Sequence, residues 1–358
     1  MADIGIFDLC AFCPSLCMDR CPVVAATGSN TWTPQSKMMT GWLMVNGHRQ
    51  MDALNAATIY QCTGCMSCHD VCLHEIDVEQ ALFGLRRKVV EAGACPWPSA
   101  RFVDNGQDLQ QIYVDSVPPD YVVPEASGVV FPGSGTLRTS PGLLKDLFEC
   151  FGRLGVDTFA AVPSVADDSG YDLYAAGYIA EFREHAGHVA KKLRRYKAVM
   201  VVSPTDYYAF KVLYPMHDIK LPDQVIFAEE HLGKLALARQ PGAKMTGRIA
   251  YHDSCITGRH LEIYDLPRRV IEHASGQPPI ELRRHHQDSM CCGASGAWDI
   301  VNPKGSSDAG ANVARMACEA GANILVTSGC KCAANIGSKL HGLEVMDLIT
   351  FIARSTAL

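Results

Sequence analysis

The chain has 358 residues, enough for two or three domains with cores of their own. Its charged fraction of 20% and apolar fraction of 48% fit a soluble globular protein, and no apolar run approaches the roughly 20 residues of a bilayer-spanning helix. A net charge of −6 without any Lys/Arg block sets aside a nucleic-acid surface and leaves other proteins as the expected partners. No basic segment leading into an apolar stretch stands near the N-terminus. A signal peptide is therefore not expected, and the reading is a cytoplasmic protein, or one peripheral to a membrane through a partner. Sixteen cysteines in so long a chain point to metal rather than to a disulfide scaffold.

In chain order, residues 1–100 carry two dense cysteine runs joined by a stretch of helical character from Pro34 to Tyr60. Val78 to Ala92 reads as an amphipathic helix with Leu82, Leu85, Val89 and Val90 on one face and Gly93 as its stop. Residues 96–125 are rich in Pro, Asp and Gln, and 101–125 is taken as a linker. Then the pattern changes. Short apolar runs at Gly128–Phe131, Thr158–Val162 and Ala198–Ser203 alternate with helical segments at Leu143–Leu154 and Ile179–Arg195. The alternation returns with Arg248–His252, a helix at Leu266–His273, a helix at Ser307–Ala320 and a run at Ile324–Ser328. Strands alternating with helices imply a parallel sheet, and the two stretches, 126–240 and 247–355, read as a tandem duplication of one α/β unit.

The first dense run is Cys10-x2-Cys13-x3-Cys17-x3-Cys21-Pro22, and the second is Cys62-x2-Cys65-x2-Cys68-x3-Cys72. The second has the spacing of bacterial two-cluster ferredoxins, in which three thiolates on a tight loop meet one cube and the fourth reaches across to the other. That crossing predicts Cys10, Cys13, Cys17 and Cys72 on one [4Fe-4S] cluster, with Cys62, Cys65, Cys68 and Cys21 on a second. Zinc sites use separated pairs of cysteines, four thiolates to a metal, and suit these runs less well. The first run has one extra residue between its second and third cysteines, and Leu73 stands after Cys72 where ferredoxins place proline.

A second constellation comprises His252-Asp253-Ser254-Cys255, Cys291-Cys292-Gly293 and Gly329-Cys330-Lys331-Cys332. There are 35 residues between Cys255 and Cys291 and 37 between Cys292 and Cys330. This segment resembles the cysteine-rich CCG domain of the B-type and D-type subunits of heterodisulfide reductase and their relatives. Those include iron–sulfur subunits of glycolate oxidase, anaerobic glycerol-3-phosphate dehydrogenase and lactate-utilisation systems. The resemblance to the whole architecture covers nearly the full chain. It implies an α-helical two-cluster ferredoxin domain followed by a tandem, Rossmann-like α/β duplication of the CCG domain.

The departures matter as much as the likeness. In the C-terminal repeat the first cysteine of the C-x-x-C element is displaced by one residue. In the N-terminal repeat Ser134, Asp168-Ser169-Gly170 and Ser203-Pro-Thr-Asp206 stand where the family has its cysteines. Serine and aspartate are poor ligands for an iron–sulfur cluster, so that repeat reads as an emptied scaffold. Cys255, Cys291, Cys292, Cys330 and Cys332 are the candidates for a third centre, expected as [4Fe-4S] ahead of zinc or a non-cubane cluster.

Cys95, Cys150 and Cys318 stand alone, Cys318 reading as a small core residue of an Ala-rich helix. His252 reads as a structural hydrogen-bonding residue and His285-His286 as a solvated face. No G-x-G-x-x-G follows a strand, so no flavin or nicotinamide site is expected. The function expected is an electron-transfer subunit of an oxidoreductase complex, with a flavoprotein or hydrogenase-like subunit as partner. The alternatives are a catalytic disulfide reductase and a structural metal scaffold.

Overall fold

The computed structural model describes residues 4–104, 106–337 and 341–357. Up to residue 127 the described chain is helical. Helices α1 (Ile4–Ala11), α2 (Pro22–Thr27), α3 (Pro34–Val45), α4 (Ala53–Ile59) and α5 (Val78–Glu91) surround the cysteine loops. Local chemistry starts them. Pro22 and Pro34 occupy first turns, where the missing N–H costs nothing, and Thr33, Asp52 and Asp77 cap the N-termini of α3, α4 and α5 with their side-chain oxygens. Helix α5 buries Leu82, Leu85 and Val89 as the apolar spacing requires, together with Arg86.

The stretch expected as a linker is folded instead. A helix at Leu109–Asp115 lies within it; Phe102, Leu109, Tyr113 and Val117 are buried, and the Tyr113 hydroxyl donates to the Val130 carbonyl at 2.7 Å. Its polar composition hid a widely spaced set of apolar anchors.

Two four-stranded parallel sheets follow. The first joins β1 (Gly128–Phe131), β2 (Phe159–Ala160), β3 (Ala198–Val201) and β4 (Gln224–Phe227) in the order β2-β1-β3-β4. The second joins β5 (Ile249–His252), β6 (Ile280–Glu281), β7 (Ile324–Thr327) and β8 (Glu344–Asp347) in the order β6-β5-β7-β8. The central strands β1, β3, β5 and β7 are buried throughout, as continuous apolar runs in a helix-covered parallel sheet should be. The two regions meet helix to helix. Leu348–Ser355 packs on Gly142–Leu154, and Asp265–Ser275 on Ala228–Leu237.

In each sheet the loops after the two central strands leave from their carboxyl ends, where α/β folds place their sites. Ser134 and Ser203 follow β1 and β3; Cys255 and the Cys330–Cys332 segment follow β5 and β7. Among the described residues no helix is long and apolar enough to cross a membrane. Cys318 is exposed rather than in the core. On the helix Pro303–Glu319 the 3.6-residue period turns Val313, Ala314 and Ala317 inward and Cys318 outward.

Candidate metal centres

The eight N-terminal cysteines form two groups. Cys10 has Cys17, Cys13 and Cys72 as its charged neighbours, and burial followed by those sulfurs pushes its thiol up to about 12. Cys17 is raised to about 11, chiefly by burial. In the second group Cys68 lies beside Cys65, Cys62 and Cys21, and these four line one pocket with Lys37. The groups adjoin through Cys17 and Cys21. The Cys62–Cys68 segment has no regular structure, and Gly64 takes a positive φ of 62° within it. A β-carbon there would stand 2.7 Å from the Phe83 ring, so the glycine is needed for the approach of α5; its N–H also points at the Cys62 sulfur, 3.5 Å away.

Whether these residues fit an iron–sulfur cluster can be tested on Lys37, which sequence reasoning passed over. Its side chain is buried, its Nζ donates to the Gln61 carbonyl at 2.6 Å, and Nζ lies 3.7 Å from the Cys21 sulfur. Among the described residues no carboxylate pairs with it. Burial alone would lower its pKa, but the sulfurs of Cys21, Cys62, Cys68 and Cys65 carry it above its ordinary value. A buried ammonium costs several kcal/mol unless an anion answers it. Four thiols do not answer it, whereas four thiolates on an iron–sulfide cube do. The buried Ser15 and Ser67 hydroxyls and the His69 Nδ1, all inside the two runs, likewise lack partners. The residues fit the group.

The C-terminal cysteines gather behind the Cys62–Cys68 loop. Cys255 Sγ lies 3.6 Å from Cys291 Sγ, and Cys292 Sγ lies 3.1 Å from Cys332 Sγ. Cys332 also neighbours Cys255 and Cys291. Cys330 points elsewhere: its sulfur is 3.4 Å from Thr136 Oγ1, with Asp347 and Asp206 as its charged surroundings. Of the pair left open by the sequence, the structure brings Cys332 to the other three and turns Cys330 away. Arg268 pins the turn before Cys255, its two terminal nitrogens 2.7 and 2.8 Å from the buried Asp253 carboxylate. His252 is fully engaged, with Thr327 Oγ1 at 2.8 Å and the Met290 carbonyl at 2.9 Å.

The two metal regions share a wall. Cys65 has Cys291 as a side-chain hydrogen-bonding neighbour, which together with burial pushes its thiol well up. Arg259 Nε donates to the Cys65 carbonyl, and His260 Nε2 sits 2.8 Å from the Gly64 carbonyl. Fully buried Arg86 donates to the carbonyls of Cys62 at 2.8 Å, Ala175 at 2.7 Å and Gly296 at 3.0 Å, tying all three regions together. At the same seam Gly296, with φ 63°, packs its backbone on Thr63, and a β-carbon would meet the Thr63 carbonyl at 2.5 Å. Gly296→Ala is therefore expected to cost about 2 kcal/mol, seen as a lowered thermal midpoint of the anaerobic protein.

In the first α/β region Ser134, Asp168, Ser169 and Asp206, expected from the sequence at cysteine positions, do converge. Ser134 Oγ donates to Asp168 at 2.6 Å, and Asp206 is buried beside Ser169 and Asp168, its carboxyl raised to about 7, mainly by burial. The space is taken by an ammonium. Lys331 reaches across from the second region to Asp172 at 2.9 Å, with Asp299 of its own region at 3.6 Å and Asp168 also among the carboxylates whose charge it feels.

Comparison with known proteins points to the same two regions. Residues 6–76 match the 4Fe-4S dicluster domain family, and residues 249–337 match CCG, the cysteine-rich domain family. The chain thus carries a dicluster region and a CCG region, and over nearly its full length it is similar to the D-type subunit of heterodisulfide reductase. That subunit of the dihydromethanophenazine:CoB–CoM heterodisulfide reductase of Methanosarcina barkeri is 24% identical over 98% of this chain and 94% of its own length. EtfAB:quinone oxidoreductase of Syntrophomonas wolfei is 26% identical over 68% of the chain, which spans only 37% of that relative. The crystal structure of a hypothetical protein from Helicobacter pylori superposes with a TM-score of 0.63 at 10% identity, covering 91% of this chain and 68% of that one. At that identity the likeness concerns the fold alone.

Proposed function

We propose that this chain is an iron–sulfur electron-transfer subunit of a multi-subunit oxidoreductase. Buried Lys37, facing four sulfurs with no carboxylate to pair with among the described residues, is the observation that carries the reading. Cys10, Cys13, Cys17 and Cys72 would hold one [4Fe-4S] cluster, and Cys21, Cys62, Cys65 and Cys68 a second. Cys255, Cys291, Cys292 and Cys332 would hold a third group, taken as [4Fe-4S] ahead of zinc. Such groups, when bound, supply one-electron couples.

The chain's own residues do the rest. Lys37 offsets negative charge, the Gly64 N–H is directed at a thiolate, and burial of Cys21, Cys62, Cys65 and the four C-terminal sulfurs keeps water away. The first N-terminal group is the more open one, with Cys13, Cys17 and Cys72 only half-buried. Phe12, Leu16 and Leu73 stand 72%, 67% and 87% exposed beside them, and this is the side a redox partner would meet. Such a partner, a flavoprotein or hydrogenase-like subunit, would also set any peripheral membrane attachment. The equivalent strand orders of the two sheets support a duplicated α/β unit, residues 126–240 and 247–355.

A second reading, disulfide reduction at the CCG group itself, draws on a narrow cleft of about 10 Å3, room for one water, lined by Cys255, Cys292, Cys332, Ser203 and Lys331. The chain purified without oxygen is expected to contain about eight iron atoms from the dicluster domain and about four more from a third cubane. Zinc in place of iron would overturn the electron-carrier reading. A radical signal on adding a disulfide to the oxidised, loaded protein would favour the second reading.

A further inference from the structure

Arg259 lies one turn beyond Cys255, where the seam between the two metal regions is tightest. Its fork is held from three directions. Nε donates to the Cys65 carbonyl, and Nη1 donates to the carbonyls of Gln287 and Ser289, each at 2.8 Å. Nη2 is buried and has no partner among the described residues. Among the described residues no carboxylate reaches ion-pairing distance of this guanidinium. The charges around it, in order of strength, are Cys65, Cys255 and Cys291, and only then Asp70.

A guanidinium cannot shed its proton, so in such surroundings it needs an anion, and its unused N–H needs an acceptor. Neutral thiols supply neither. Thiolates and sulfides of bound iron–sulfur groups supply both. The neighbouring Thr257 hydroxyl, also buried and unpartnered, faces the same shortage. Lys37 is different in reach: it contacts the Cys21 sulfur and feels the charge of Cys62, Cys65 and Cys68, all of the second N-terminal group. Arg259 stands between that group, through Cys65, and the C-terminal one, through Cys255 and Cys291.

We propose that Arg259 is a positioning residue shared by two redox centres, its free Nη2 donating to a sulfur there and its charge raising the reduction potential of both. The proposal rests on the electron-carrier reading above. Each one-electron reduction adds one negative charge to a centre, while Arg259 gains and loses nothing. A fixed cation nearby therefore favours the reduced form.

The test is a redox titration of the full chain, loaded without oxygen and followed by electron paramagnetic resonance. Arg259→Met and Arg259→Lys are compared with the parent, and a Cys332→Ala sample identifies the C-terminal signal. Arg259→Met is expected to keep its iron and sulfide. The two centres at the seam should become at least tenfold harder to reduce, a fall of about 59 mV for one electron. The centre on Cys10, Cys13, Cys17 and Cys72 should hold its potential, and Arg259→Lys should recover most of the shift.

Unchanged potentials in a fully loaded Arg259→Met protein, or equal shifts at all three centres, would overturn the proposal and leave the electron-carrier reading standing. A parent chain holding no iron would sink that reading itself. Should Arg259→Met fail to fold, Arg259→Gln keeps donors for the carbonyls, loses the charge and is read in the same way.

Discussion

Cys332→Ala is expected to strip the C-terminal centre of its metal, while Cys330→Ala leaves it loaded. The reason is the helix on which both sit, Cys330–Gly337. Residues two apart on a helix are turned about 200° from one another, so two such side chains cannot meet one small cluster. The sulfur of Cys332 is drawn to Cys292 and that of Cys330 to Thr136. In its own surroundings Cys330 is buried, with Thr136 as its hydrogen-bonding neighbour and Asp347 and Asp206 as nearby charges. Iron and sulfide analysis of the two variants decides the point. Loss of about a third of the iron from Cys332→Ala alone is the expected result, on the basis of about four irons in each of three clusters. Loss from Cys330→Ala alone would mean that the helix turns on metal binding and that Cys330 is the ligand.

Arg86→Ala should be among the most damaging single changes outside the cysteines. The side chain is fully buried, and its donors serve the carbonyls of Ile59, Cys62, Ala175 and Gly296 while its plane lies against the rings of Tyr60 and Phe83. Truncation strands those acceptors and opens a cavity where three regions meet. Deleting a buried, fully bonded charge of this kind costs about 3–5 kcal/mol. At about 2–4 °C per kcal/mol for a large domain, the thermal midpoint of the loaded protein should fall by roughly 10 °C. Arg86→Lys should recover only part of this, because one ammonium cannot reach four carbonyls in a plane. A midpoint within a degree or two of the parent would show that the seam is not held by this residue.

What could be read in advance follows from how local each signal is. The N-terminal cysteines announce themselves because a cube has to be gripped by thiolates a few residues apart. In the structure Cys72 lies beside the first run and Cys21 beside the second. The buried strands are legible for a similar reason, each being a short apolar run between turn residues. The charged residues that organise the centres are not. Lys37, Arg86 and Arg259 lie in helical turns, where a charge is ordinarily read as facing water, and only the fold reveals that each faces sulfur or stranded carbonyls. The 101–125 segment escapes such reading because Tyr113 and Leu109 owe their burial to distant strands and not to any local periodicity.

Lys331 carries a lesson for anyone wishing to build a further centre in the first α/β region. Ser134→Cys, Asp168→Cys and Ser169→Cys together would bring three thiols near one another, yet the space they face already has a tenant. Its ammonium, tethered to Asp172, would repel incoming ferrous ions before any sulfide arrived. Eviction has to come first, and because the tenant sits between Cys330 and Cys332, it must be done without disturbing the neighbouring grip on metal.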